Sequence, residues 1–174
     1  RGEKMSATVL RAPEETVSSN PIDSAEEIAA ANDWSYERSD EDELVCEIVG
    51  QYCSYRLFFA WKPQVEAMHV ACLLDLRITD PKAASIHHLH GLANEKMWIG
   101  HFDLCSDSRS PMWRHTLLTR GLGGMAETAH LEEIIEAAVN ECERIYPAYQ
   151  FLLWGGRTPA EAVSAAVFET MGEA

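Results

Sequence analysis

The sequence predicts an α+β domain in which a mostly antiparallel sheet of about five to six strands carries helices on one face. Three observations support this class. Short alternating or β-branched segments follow one another across tight turns, as antiparallel strands do. Too few helices lie between these strand segments for a fold built from βαβ units. The segment 128–154 repeats its apolar residues at helical spacing, so it needs a surface to cover.

The N-terminal part divides into a tail and a helix. Residues 1–20 show no sustained period and carry proline, serine and charge, so we expect a disordered tail before a single domain at 21–174. A helix is predicted from about Ile22 to Asn32. Ser24 and Glu27 have the spacing of a capping box, in which each side chain bonds a free helix N–H. The residues expected to be buried are Ile22, Ala25, Ile28 and Ala29.

Four strands are predicted next. The first spans residues 34–38, and the acidic run 40–43 after it is interpreted as a solvated turn. The other three are rich in alternating, β-branched and aromatic residues and are predicted at 44–49, 52–61 and 65–78. Gly50-Gln51 and Lys62-Pro63-Gln64 lie at the turns between them.

A second helix and two strands follow. Asp80 and Pro81 are predicted to open the helix as N-cap and first helical residue. Its inward residues are expected to be Ile86, Leu89, Ala93 and Met97, and its outward residues His87 and Lys96. The two strands are predicted at 98–106 and 111–119, with a polar turn between them and a glycine-rich link, 121–124, after them.

The long segment 128–154 is the most periodic part of the chain. Its apolar stripe consists of Leu131, Ile134, Ile135, Ala138, Val139, Cys142, Ile145, Tyr146 and Tyr149. Pro147 is expected to kink this helix or to begin a new segment, so that residues 148–154 continue as an extended segment or strand. Gly155-Gly156 is expected to end it. Thr158 and Glu161 then form a second capping box, which opens a last helix that runs through Phe168.

Composition limits the possible functions. The chain has 174 residues, of which 47% are apolar and 24% charged, and its net charge is −14. Such a charge argues against general affinity for nucleic acid or an anionic membrane. No apolar run is long enough to span a bilayer, and the N-terminus lacks the apolar region of a signal peptide. The five cysteines are widely spaced without a C-x-x-C pair, so we expect reduced thiols and a cytoplasmic protein.

No catalytic or metal-binding pattern stands out. His87 and His90 lie one helical turn apart and could share an ion, but no third ligand follows, so they are interpreted as part of an exposed helix face. The glycine-rich link at 121–124 lacks the lysine of a phosphate-binding loop. No cysteine lies beside an activating group. We therefore predict no catalytic residue, no cofactor and no metal.

The aromatic residues allow two interpretations. All five tryptophans lie within or at the ends of predicted elements, which is typical of core filling. Alternatively, some of them line a sheet face that helices leave uncovered and that recruits another protein. The candidate protein-interaction residues are Trp34, Tyr52, Tyr55, Phe59, Trp61 and Trp113.

Three stretches carry a family resemblance. Residues 32–38, 94–104 and 141–151, read as NDWSYER, NEKMWIGHFDL and ECERIYPAYQF, resemble the bacterial YbjN family in the same order along residues 20–174. The resemblance implies a sensory transduction regulator. It also implies a fold similar to that of type III secretion chaperones, small acidic α+β proteins that typically dimerise. The family has no established active site, so no catalytic residue is carried over.

Two functions are therefore expected as alternatives. The first is a non-enzymatic regulator or chaperone-like adaptor in signalling, stress or motility regulation, which binds another protein as a homodimer and binds neither nucleic acid nor membrane. The second is a small-molecule sensor or enzyme with a pocket between sheet and helices, to which His69, His101 or His115 would contribute.

Overall fold

The sheet has six strands, all paired antiparallel. The computed structural model describes residues 20–121 and 125–171, without the side chains of 125–126 and 167–171. The strands are β1 (Ser35–Asp40), β2 (Glu43–Val49), β3 (Ser54–Lys62), β4 (Ala67–Leu74), β5 (His101–Leu104) and β6 (Pro111–Leu118). Their spatial order is β1-β2-β3-β4-β6-β5. The predicted α+β class and the strand number are confirmed, whereas the likeness to type III secretion chaperones stays a prediction.

Four helices accompany the sheet. They are α1 (Pro21–Ala31), α2 (Asp80–Asn94), α3 (Met125–Leu153) and α4 (Pro159–Met171). Helix α1 packs on β1 to β3, α3 on β4 and β6, and α2 on β5, while α4 packs against α2 and α3. The disordered tail predicted at 1–20 lies outside the described residues except for Asn20, so the division into tail and domain stays a prediction. Most of the glycine-rich link at 121–124 also lies outside them.

The core lies between the helices and one face of the sheet. Strand register places Cys46, Leu57, Cys72 and Trp113 side by side across β2, β3, β4 and β6, and all four are buried. The apolar stripe of α3 meets this face, with Leu131, Ala138, Cys142 and Tyr149 fully buried. Burying a large apolar side chain contributes about 1.5–3 kcal/mol. The pairing of an amphipathic helix with one apolar sheet face therefore accounts for the fold.

Two helix starts differ from the prediction. The N-cap of α1 is Asn20, whose Oδ1 accepts the N–H of Ile22 at 2.9 Å, while Ser24 lies inside the helix and donates its hydroxyl to Glu127 Oε1 at 3.1 Å. The N-cap of α2 is Thr79 and not Asp80. Asn20, and not the predicted Ser24, is the N-cap of α1 because it directly precedes Pro21. The proline ring already has the φ angle that the first helical position requires. The capping box of Thr158 and Glu161 is confirmed, with Thr158 N–H donating to Glu161 Oε2 at 2.9 Å.

Helix α3 continues through Pro147, so the predicted new segment after it is wrong, whereas the alternative, a kink at Pro147, stays a prediction. A proline inside a helix costs about 3 kcal/mol because it removes an N–H and crowds the preceding turn. Here the flanking residues Ile145, Tyr146, Ala148 and Tyr149 are all buried against the rest of the fold. Their burial offsets the cost, so residues 148–153 are helical and not extended. The helix ends at Leu153, before Gly155 and Gly156, as expected.

Both edge strands are irregular or short. Strand β1 has a register shift between Arg38 and Asp40, and Arg38 reaches back to Asp23 and Glu26 of α1, each at 2.8 Å. Strand β5 has only four residues.

Candidate functional site

Three of the six predicted interaction residues lie in the core. Tyr55 and Trp113 are 0% exposed and Phe59 is 1% exposed, all on the face that the helices cover. The prediction placed them on an uncovered sheet face, but strand alternation puts their side chains on the opposite one. A partner protein cannot reach them in this fold.

The other three lie nearer the surface. Tyr52 is 37% exposed and stacks on Tyr146 with ring centroids 5.0 Å apart. Trp61 is half-buried against the core, and its buried Nε1 has no hydrogen-bond partner among the described residues. Trp34 is half-buried just before β1 and lines a groove. The structure therefore does not bring the six residues together into one surface.

The groove beside Trp34, called here the Trp34 groove, lies between α1, α3 and strand β2. Its volume is about 360 Å³. Its apolar lining consists of Ile28, Trp34, Ile48, Ile135 and Val139, and its polar lining of Asn32, Glu132, Glu136 and Asn140. The volume lies at the small end of the range for ligand-binding clefts, so the groove can hold a few side chains and not a folded domain.

The Trp34 groove has an apolar floor and an acidic rim. Ile135 and Glu136 each lie three or four residues from both Glu132 and Val139 along α3, so the four share one side of that helix. The two glutamates are exposed, and Ile135 is 4% exposed. With a chain charge of −14, the rim favours ligands that carry positive charge.

A second surface is the sheet face turned away from the helices, called here the open face. Strand register places one row across all six strands, made of Glu37, Val45, Phe58, Ala71, Arg114 and His101. No helix of the described residues covers this row. Ala71 is nevertheless only 6% exposed, because its larger neighbours on β3 and β6 flank it.

Charge is unevenly distributed over the open face. Its exposed glutamates are on β1 and β2, at positions 37, 43 and 47. Arg114 and His69 are on β6 and β4 at the other side, with His101 on β5, and Arg114 bonds Asp103 at 3.2 Å. The centre between the two sides is largely apolar, formed by Val45, Phe58, Ala60, Ala71, Leu73 and Met112, and it also holds exposed Arg56 of β3, the register partner of Glu47 and Leu73.

The three histidines proposed for a pocket do not converge on one. His69 is on the open face, where its Nδ1 lies 3.1 Å from Thr116 Oγ1. His115 pairs with Val70 on the covered side and stacks on Trp113. Burial lowers the pKa of both imidazoles, and Arg114 adds to the effect on His69. None of the three histidines lines the Trp34 groove.

His90 is buried, which corrects its predicted place on an exposed helix face. It is 3% exposed, and its Nε2 lies 2.7 Å from the hydroxyl of the buried Tyr149. Its Nδ1 is buried without a hydrogen-bond partner in the described structure. Burial lowers the pKa of His90 to about 4, with a further contribution from nearby His87. His90 is thus a neutral structural group. Among residues 20–121 and 125–171, no group of three or more side chains could hold a metal ion.

The cysteines are poor candidates for nucleophiles. Cys46, Cys72 and Cys142 are buried, and burial raises the pKa of Cys46 to about 12 and also raises that of Cys142. A thiol with a raised pKa is not ionised at neutral pH and is therefore unreactive. Hydrogen bonds from Ser108 lower the pKa of Cys105.

The loop before β5 holds a fully exposed tryptophan that the sequence pattern placed in a strand. Trp98 is 100% exposed, because β5 begins at residue 101 and not at 98. Asn94 fixes the loop by accepting the N–H of Phe102 at 2.7 Å and donating to its carbonyl at 3.1 Å. The indole N–H of Trp113 donates to Ile99 O at 3.3 Å. No periodicity could have identified this exposure, because the loop that carries Trp98 is held by the bonds of Asn94 to Phe102 and of Trp113 to Ile99.

Comparison with models of known protein families gives a match. The model of the YbjN family, described as "Putative bacterial sensory transduction regulator", matches residues 21–151. A search of curated proteins finds no match. Within the described residues, no helix is both long and apolar enough to cross a membrane.

Proposed function

The chain belongs to the YbjN family, and from this premise we propose that it is a non-enzymatic regulator that acts by binding a segment of another protein in the Trp34 groove. We further propose that it works in the bacterial cytoplasm, as a homodimer, in the manner of a chaperone-like adaptor. The observation that carries the proposal is the apolar floor and acidic rim of the groove.

The groove favours one kind of segment. Its floor has room for a few apolar side chains, which contribute most of the binding free energy when they are buried. Glu132 and Glu136 at the rim favour a lysine or arginine next to those side chains, since complementary charge raises association rates and specificity. The expected ligand is therefore a short amphipathic segment with two or three apolar residues and at least one basic residue.

We expect such segments to be selected by the protein itself. A phage-displayed random peptide library, panned on the immobilised full chain, is expected to enrich peptides that combine apolar and basic residues. Trp34→Ala is expected to weaken binding of a selected peptide by more than about 10-fold, because the indole is the largest group in the groove. Glu136→Lys is expected to weaken it by about 3- to 10-fold. Fluorescence anisotropy measures the affinities.

Glu133→Lys is the matched control for Glu136→Lys. It makes the same charge change on the same helix, at an exposed position that does not line the groove. Its affinity is expected to stay within about 2-fold of the wild type. Circular dichroism checks that all three variants are folded. Enrichment of acidic or purely polar peptides, or equal loss in both lysine variants, would contradict the proposal.

The alternative is a small-molecule sensor that uses the same groove. The volume of about 360 Å³ favours it, since the groove is large enough for a small metabolite. A thermal-shift screen with metabolites and metal ions separates the two functions. Large, saturable stabilisation by one compound, abolished by Trp34→Ala, would favour the sensor.

A further inference from the structure

We infer that the open face is the contact between two copies of this chain, packed face to face about a two-fold axis parallel to the strands. The inference rests on the homodimer proposed above and assigns its surface. The Trp34 groove lies on the other side of the sheet, among α1 and α3, so both surfaces can be occupied at once.

The centre of the open face is complementary to itself in shape. Phe58 and Ala71 are register partners on β3 and β4, the two central strands of the sheet. A two-fold axis between these strands places β3 of one copy over β4 of the other. Phe58 then lies over Ala71 of the second copy, a large side chain over a small one, and the same contact occurs twice.

The charges of the open face complement each other under the same axis. The strand order β1-β2-β3-β4-β6-β5 is reversed in the second copy, so β1 lies over β5 and β2 over β6. Glu37 then faces His101, and Glu43 and Glu47 lie over β6 one row to either side of Arg114, which also bonds Asp103 of its own copy. Opposite charges at the periphery of an apolar centre set orientation and specificity.

The size of the open face suits a stable dimer. With strands about 4.8 Å apart and same-face rows about 6.8 Å apart, six strands and four rows cover on the order of 700 Å². A stable interface buries about 800 Å² on each partner. Two sheets packed about 10 Å apart would interdigitate their side chains.

The experiment exchanges the charges of the two sides. The first variant carries Glu37→Lys, Glu43→Lys and Glu47→Lys, and the second carries His101→Glu and Arg114→Glu. Each variant alone brings like charges together in the dimer, so its dimer dissociation constant is expected to rise by more than about 10-fold. An equimolar mixture restores opposite charges on both sides, and its affinity is expected to return to within about 3-fold of the wild type. Light scattering and sedimentation velocity measure association from low to high micromolar concentration.

A control variant makes the same charge change elsewhere. Glu27→Lys, Glu95→Lys and Glu133→Lys are all exposed positions outside the strands, and this variant is expected to dimerise as the wild type does. Four outcomes would overturn the inference. The first is a wild-type monomer at high micromolar concentration, the result expected if the open face binds residues 1–19 or another protein instead. The others are dimers insensitive to the exchanged charges, an equal loss of dimer affinity in the control, and no recovery of affinity on mixing. Peptide binding at the Trp34 groove tests the proposed function separately, because the open-face variants leave that groove unchanged.

Discussion

Replacing Gly100 with alanine is expected to lower the free energy of unfolding by about 4 kcal/mol. Gly100 has a φ of +68°, and a left-handed backbone costs a residue with a Cβ about 1–2 kcal/mol. The added Cβ would also lie 2.3 Å from the Cε2 and Cζ2 atoms of Trp113. Trp113 is 0% exposed and cannot move aside, and such overpacking costs about 1–3 kcal/mol more.

Gly156→Ala separates the two contributions. Gly156 has nearly the same φ, +66°, but nothing lies within 4 Å of an added Cβ. Its substitution is expected to cost about 1–2 kcal/mol, from the backbone alone. Urea denaturation at neutral pH measures both variants. An equal loss of stability in the two would show that the contact with Trp113 does not restrict position 100.

The buried His90 is expected to make the fold sensitive to acid. Burial, with a smaller effect from His87, lowers its pKa from 6.5 to about 4 in the folded protein. Between these values the unfolded chain binds more protons than the folded one, so stability falls as the pH falls through this window. The stability that depends on a neutral His90 is fully present above pH 6.5 and largely lost near pH 4. The loss from this one group is about 3 kcal/mol.

A variant that cannot titrate isolates the effect of His90. His90→Gln retains a polar group next to the Tyr149 hydroxyl, which now lies 2.7 Å from His90 Nε2. The difference in unfolding free energy between wild type and variant is expected to change by about 3 kcal/mol from pH 7 to pH 4, in favour of the variant at low pH. Carboxylates affect both proteins alike and cancel in this difference. A difference that stays constant with pH would mean that His90 keeps its ordinary pKa in the folded protein.

The strands were predictable because their signals are local. Alternation in residues 65–78 predicts one face for Met68, Val70, Cys72, Leu74 and Leu76. The first four are buried, and Leu76, which lies beyond the end of β4, is half-buried. The turn at Lys62-Pro63-Gln64 coincides with the break between β3 and β4. The second capping box needed only Thr158 and Glu161, three residues apart in the chain. Each of these features depends on residues close in sequence.

The candidate site was less predictable because both faces of β3 are apolar. Leu57 and Phe59 point to one side, and Phe58 and Ala60 to the other. Alternation shows that these two sets are separate, but the side that the helices cover depends on how distant elements pack. Tyr55 and Phe59 were therefore predicted for an open surface that in fact contains Phe58. The Trp34 groove needs α1 and α3 together, which no single stretch of sequence reveals.

The two edges of the sheet affect how the protein behaves when concentrated. An exposed, regular edge strand is a template for pairing with further chains, which leads to β-linked fibres. In the described sheet, β1 is interrupted by its register shift and held by Arg38 against α1, and β5 offers only four residues. Strand addition is thus disfavoured at both ends. In the proposed face-to-face dimer each open face would be covered by the other, so that assembly would be closed and would not polymerise.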